Sequence, residues 1–295
     1  MYPDFLIRPY KEKLTAKIAR EIIHRVKPDE FFVKFMKKQN NPFKKATYIL
    51  TFDFDFEKDI KAFTYLLDKL KEYNIKAGFA VIGKFVEKYP DIHKRAVDEG
   101  HEIINHTYTH PDNPHWSPNR YFNKLTYQEQ KDEVYKAHEV FYKILGCECI
   151  GFRTPHYGNL HTESVYDILK ELNYKYSSST ASCGTDGYSA PYFHKTGILE
   201  IPTGCSLHYP LAIFDSWNML RKKRPFIGND EEFVKEFEDT IAIVNKHNLF
   251  LTHYFDPYDI VENGKLDGVL GCLSGSDIDI RLYKEIEFKF EYSGN

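Results

Sequence analysis

Thr47-Tyr48-Ile49-Leu50-Thr51-Phe52-Asp53-Phe54-Asp55 is a short apolar run that ends in two acids. Its β-branched, aliphatic and aromatic residues suit a strand buried on both faces of a parallel sheet. Side chains alternate along a strand, so Asp53 and Asp55 project to the same side. Outward from this stretch the chain repeats a strand-then-helix rhythm. Residues 57 to 73 read as a helix, Ala77 to Ile82 as a strand, 84 to 99 as a helix, and Glu102 to Asn105 as a strand behind Gly100. A helix over 126 to 145 stops at Gly146, Cys149 to Phe152 is a strand, 162 to 172 a helix, and Tyr176 to Thr180 a strand. Ile198 to Ile201, a helix over 230 to 247, Leu249 to Thr252 and an alternating strand from Ile286 to Tyr292 complete the pattern.

Seven or eight such units, with no GxGxxG or GxxxxGK[ST] loop, predict an α/β fold of the distorted (β/α)7-8 barrel kind rather than a dinucleotide-binding sheet. The barrel is assigned to residues 46–295. Residues 1–45 form a separate expectation, an N-terminal basic helical extension. Residues 8 to 45 hold twelve Lys and Arg against four Asp and Glu, on a helical pattern that includes Leu14, Ile18, Ile22, Ile23 and Val26. A solvated helix face explains that charge more simply than an anionic ligand does.

The 295 residues are 42% hydrophobic and 28% charged with a net charge of -3, which excludes a disordered chain and gives no reason to expect a nucleic-acid partner. No apolar run is long enough for a transmembrane segment. Met1 to Tyr10 carry Asp4, Arg8 and two prolines where a signal peptide needs an apolar core, so the reading expects a cytoplasmic protein. Cys147, Cys149, Cys183, Cys205 and Cys272 are an odd set without a disulfide pattern, and no second Cys/His pair joins Cys147 and Cys149 at metal-finger spacing. Nothing in the sequence specifies an oligomer.

Four strand ends carry polar clusters: Asp53-Phe54-Asp55, His106 to His110, Arg153-Thr-Pro-His-Tyr157, and Thr252-His253-Tyr-Phe-Asp256. Each alone has a bland reading as a cap or a loop hydrogen-bonder; their coincidence at barrel strand ends does not. Threonines between His106 and His110, and Pro111 after them, disfavour helix, so the pair belongs on a loop or short turn. With one carboxylate they would make a set of two histidines and one acid with a position left open, the arrangement of a catalytic metal. Two neighbouring carboxylates repel, which suggests Asp55 neutralised by the cation and Asp53 kept ionised beside Arg153 as general base.

In order, these motifs resemble the polysaccharide deacetylases of the NodB-homology group, carbohydrate esterase family four. Thr51 to Asp55 resembles the family's first motif, His106 to His110 its second, Gly151-Phe-Arg-Thr-Pro155 its third and Leu251-Thr-His253 its fifth. The resemblance covers about residues 46 to 260. It implies a distorted barrel and one divalent ion, Zn2+ first and Co2+, Mn2+ or Ni2+ as substitutes, on Asp55, His106 and His110. Asp53 would be the base, held by Arg153, and His253 the general acid. The backbone N-H of His156 would hold the oxyanion, and Leu251 would line the acyl pocket, with Pro155, Tyr157 and Trp217 on the substrate side. Aromatic faces, Trp116 and Trp217 among them, would stack on sugar. The other histidines, including the side chains of His101, His115, His156, His161, His194 and His208, are given no role.

The sequence departs from the family at Asp-Phe-Asp, where Asp-Asp-Gly is commoner. Asp215-Ser-Trp217 stands in for the fourth motif, with Asp256 a rival partner for the acid histidine. The expected reaction is therefore removal of an N-acetyl, or an O-acetyl, group from an acetylated amino sugar or oligosaccharide. Two alternatives remain: a metal-dependent hydrolase of a small non-sugar amide or of a nucleotide- or lipid-linked amino sugar, and an inactive carbohydrate-binding barrel.

Overall fold

A computed structural model describes residues 27–37, 43–182, 191–209, 212–220 and 232–286. Helix α1 (Pro28–Lys37) lies in the described part of the basic extension; the predicted helix around Leu14 to Val26 lies outside the described residues. Strand β1 (Thr47–Phe54) follows and is buried at all eight positions, as its composition requires. Next come α2 (Glu57–Glu72), β2 (Gly78–Val81), α3 (Gly83–Lys88), α4 (Pro90–Asp98) and β3 (Glu102–Asn105). The single helix expected over 84 to 99 is two, because Pro90 takes the first position of a new helix and lacks the N-H that would continue the old one. Helix α5 (Tyr127–Leu145) starts at Thr126, which exchanges hydrogen bonds with Glu129, and stops at Gly146 in the left-handed conformation.

Beyond it lie β4 (Gly151–Phe152), α6 (Val165–Glu171), β5 (Tyr176–Ser177), β6 (Tyr192–Phe193), β7 (Leu199–Glu200), α7 (Ser216–Met219), α8 (Phe233–Lys246), β8 (Phe250–Phe255), α9 (Pro257–Glu262), α10 (Leu266–Gly275) and β9 (Asp279–Ile280). Of the strand expected over 286 to 292, all but Ile286 lies outside the described residues.

The strands form one curled sheet in the order β6-β7-β5-β4-β3-β2-β1-β8, with β9 beside the start of β1. All pairs are parallel except β6 with β7, a reversal the repeating pattern did not foretell. The chain after β7 then crosses toward the far edge: Thr203 N donates to Thr180 O, and Gly204 N donates to Thr252 O on β8 at 2.7 Å. The result is a (β/α) half-barrel with surrounding helices.

The faces of β1 and β8 fix what each side chain can reach. On β1, Tyr48, Leu50, Phe52 and Phe54 join the large core under the helices, whereas Ile49 packs in the lumen with Ala80, Ile104, Tyr176, Phe250 and Tyr283. Thr51 and Asp53 share the lumenal face of Ile49, since Arg153 Nη1 donates to both. On β8, Thr252 bonds Tyr283 in the lumen, and Leu251 and Phe255 belong to the outer core.

Candidate metal centre

Asp55, His106 and His110 converge just past the C-terminal ends of β1 and β3. Asp55 Oδ1 lies 3.2 Å from His106 Nε2 and 3.4 Å from His110 Nε2, and one ligand atom from each residue falls within 4.8 Å of the others. The turn after β3 is built for this. Thr107 and His110 adopt positive φ, His110 N donates to Thr107 Oγ1, and Asn105 Oδ1 accepts from Thr107 N. From α5, the buried Glu133 carboxylate accepts from Tyr108 N, Thr109 N and Thr109 Oγ1. On the other side Asn113 Nδ2 donates to Asp55 O.

His106 Nδ1 sits 2.8 Å from Arg153 O, an acceptor only, so Nδ1 carries the proton and Nε2 presents its lone pair to Asp55 and His110. Asp55 Oδ1 and His110 Nε2 are buried and make no hydrogen bond. Buried polar atoms are rarely left in that state, and these two, a carboxylate oxygen and an imidazole nitrogen 3.4 Å apart, fit ligands of one shared cation. Two imidazoles and one carboxylate suit a zinc-class divalent ion with positions open. Burial pushes the Asp55 carboxyl up, and the His110 and His106 rings outweigh it, holding the group well below the usual carboxylate range.

Asp53 lies two residues back on the same face. Arg153, fully buried at the end of β4, donates through Nη1 to Asp53 Oδ1 and Thr51 Oγ1 and through Nη2 to Ser178 Oγ and Tyr283 Oη. Burial raises the Asp53 carboxyl; Arg153 and His106 pull it back only in part, and Asp55 adds to the rise. The opposing charge of Arg153 is thus within reach while proton affinity stays elevated, as a base requires.

Other expected site residues lie elsewhere. His253 is paired with Leu50 across the β1–β8 ladder and is buried on the outer face, its ring 5.2 Å from Phe214 and 6.4 Å from Phe237. Its Nδ1 lies 3.2 Å from Tyr48 Oη, and burial pulls its pKa down to about 3. The structure therefore does not bring His253 to Asp53, because strand alternation turns it the other way. Leu251 shares that face and does not line the lumen. Asp215 caps α7 through Asn218 N and accepts Tyr254 Oη at 3.2 Å, while Asp256 accepts from Ser216 Oγ. Pro155 is buried in the loop after β4, and Trp217 is half-buried on α7.

The loop after β4 supplies what the sequence reading missed. His156 and Tyr157 take consecutive positive φ values of 58° and 50°. The His156 ring, about a third exposed, stands 5.0 Å from His110 with Nε2 4.0 Å from Asp112 Oδ2. Tyr157 is buried and donates to Asp53 Oδ2 at 3.2 Å. His156 was within sight, next to the third motif; no sequence signal singles out Glu133 or Tyr283.

A half-barrel with an Asp-His-His cluster at the C-terminal ends of its strands defines the class of (β/α)-barrel proteins whose site lies where their loops gather. The polysaccharide deacetylase family model matches residues 40–177. A peptidoglycan-N-acetylglucosamine deacetylase of Bacillus cereus is 34% identical over 133 residues, 45% of this chain and 44% of that protein. The peptidoglycan-N-acetylmuramic acid deacetylase PdaA of Bacillus subtilis is 33% identical over 132 residues, 45% of this chain and 46% of that one. The chain thus spans less than half the length of these curated relatives. A Mycobacterium smegmatis crystal structure, provisionally assigned to the polysaccharide deacetylases, superposes with a TM-score of 0.65 at 16% identity, covering 82% of this chain and 88% of that one, a likeness of fold. Residues 40–177 of the chain thus match the polysaccharide deacetylase family, and the described fold resembles that of its solved members.

Proposed function

We propose that the chain is a divalent-metal-dependent deacetylase that hydrolyses an N-acetyl group on an amino sugar of an oligosaccharide or wall polymer. The observation that carries this reading is the meeting of Asp55, His106 and His110 beside an Asp53 gripped by Arg153. The names of the two Bacillus relatives support the substrate class.

Asp55, His106 and His110 would hold the ion, which when bound supplies Lewis acidity toward the acyl carbonyl. Asp53 takes the proton of the attacking water, and Arg153 keeps the carboxylate in place and stabilises its charged form before the transfer. The backbone N-H of His156 is assigned to the developing oxyanion. The C–N bond breaks, acetate departs, and the leaving nitrogen takes a proton to become a free amine. With His253 on the outer face, we assign that delivery to the His156 ring beside His110, which burial holds at a pKa of about 4 and which must therefore take up a proton before it can give one. O-acetyl esters would follow the same path with an alcohol as leaving group.

Acetate release from N-acetylated chitooligosaccharides and peptidoglycan fragments tests the reading, with the protein loaded with zinc and after chelation. Release that chelator abolishes and zinc restores is expected. A zinc-loaded protein that releases no acetate from any of these substrates would refute it.

A further inference from the structure

Both oxygens of Asp53 carry a donor: Arg153 Nη1 on Oδ1 and Tyr157 Oη on Oδ2. Tyr157 is only 5% exposed and packs against two neighbours. The Arg153 guanidinium carbon lies 5.2 Å from its ring centroid, and the Tyr254 ring lies 4.6 Å away at a tilt of 34°. Tyr254 is anchored in turn, its Oη donating to Asp215 Oδ2, and Asp215 accepts from Asn218 N and Asn218 Nδ2. A chain of contacts runs from the N-terminus of α7 to the acid on β1.

The backbone at this place is strained for a purpose. Positive φ at a residue with a side chain is uncommon, and here two occur in succession at His156 and Tyr157. The outcome is divergence: one side chain goes to the rim beside His110, and the next turns inward to Asp53.

We propose that Tyr157 is a positioning residue for Asp53, fixing the carboxylate plane from the side opposite Arg153, with Tyr254 and Asp215 bracing its ring. This rests on the reading of Asp53 as the base. A carboxylate held at one oxygen turns about its terminal torsion, which is broad; one held at both does not. A base in the wrong plane loses rate without losing substrate, because misplacement of a reacting group by even about 1 Å costs turnover on the order of a hundredfold.

The test is Tyr157→Phe, which keeps the ring and its stacking and removes the hydroxyl. On zinc-loaded protein with an N-acetylated chitooligosaccharide, kcat should fall roughly ten- to hundredfold while KM stays within about twofold. Zinc content should be that of wild type. Tyr166→Phe is the control, since it deletes an equally buried phenol-to-carboxylate bond, to Glu200 Oε2 at 2.9 Å, away from the site. Wild-type kcat in Tyr157→Phe, or an equal fall in Tyr166→Phe, overturns the inference and leaves the deacetylase reading standing. If wild type releases no acetate, that reading fails instead, and crystal structures of wild type and Tyr157→Phe decide the inference. An Asp53 carboxylate in the same plane in both overturns it; a rotated one supports it.

Discussion

His253 faces Leu50 across the β1–β8 ladder and Asp53 lies on the other side of that sheet, so a motif that matches in sequence is turned away from the chemistry in space. Gly204 makes room for it: a Cβ there would come within 2.6 Å of His253 Nε2 and 2.7 Å of Leu251 Cδ1. His253→Gln should therefore lower thermal stability and leave kcat of the folded enzyme within a few-fold of wild type. His156→Ala, which keeps the backbone N-H and deletes the ring, should cost roughly a hundredfold in kcat. Steady-state rates on matched folded fractions decide between the two histidines. A catalytic collapse in His253→Gln with His156→Ala unimpaired would return the acid role to β8.

The proposed reading assigns metal binding to Asp55, just past β1, and proton transfer to Asp53 on it. Asp55 Oδ1 reaches both imidazoles, whereas Asp53 is committed to Arg153 and Tyr157. His110→Ala should abolish bound zinc and activity together. Asp53→Asn should retain zinc near the wild-type level and lose turnover by roughly a thousandfold or more, since the amide cannot accept the proton. Metal content by elemental analysis beside acetate release checks both; a zinc-free Asp53→Asn would make Asp53 a ligand.

Glu133 holds the turn that carries both histidines, accepting from Tyr108 N at 3.1 Å and from Thr109 N and Oγ1 at 2.8 Å each. Glu133→Ala leaves the Tyr108 and Thr109 amides without this acceptor and frees the turn to relax. Outer partners of this kind typically account for about ten- to a hundredfold in metal affinity. Competition with a zinc indicator dye should show that loss, with Glu133→Gln recovering part of it. Unchanged affinity in Glu133→Ala would mean the turn is rigid without α5.

The sequence was most legible where one period dominates. Thr47 to Phe54 could only be a buried strand, and its alternation predicts Asp53 and Asp55 on one side, where Asp53 feels the charges of both Asp55 and His106. The turn between His106 and His110, the stop at Gly146 and the start at Thr126 were equally local matters. What stayed hidden depends on distant chain. The reversed strand β6 follows from pairing, not pattern. Tyr283, more than a hundred residues from Arg153, reaches its guanidinium only because the C-terminal region folds under the lumen. The outward turn of His253 was present in the β8 alternation, with Thr252 and Tyr254 inward, and a motif match overrode it.

Glu102 gives the fold a pH dependence with a definite sign. It is buried on β3, accepts from Tyr176 Oη at 2.8 Å and Lys284 N at 3.2 Å, and burial raises its pKa from 4.5 to about 7 against the pull of those bonds. A carboxyl whose folded pKa is raised contributes stability that is whole below its unfolded value and is lost as pH climbs through the folded one. Between pH 4.5 and about 7 the native state should therefore lose up to roughly 3 kcal/mol from this group. Glu102→Gln cannot ionise, so its altered hydrogen bonding adds a constant offset but no slope. The difference in thermal midpoint, variant minus wild type, should rise from pH 5 and level off above about pH 7. Parallel curves would mean that Glu102 titrates alike in the folded and unfolded chain, and that its burial is relieved by water or by Lys284 more than these contacts show.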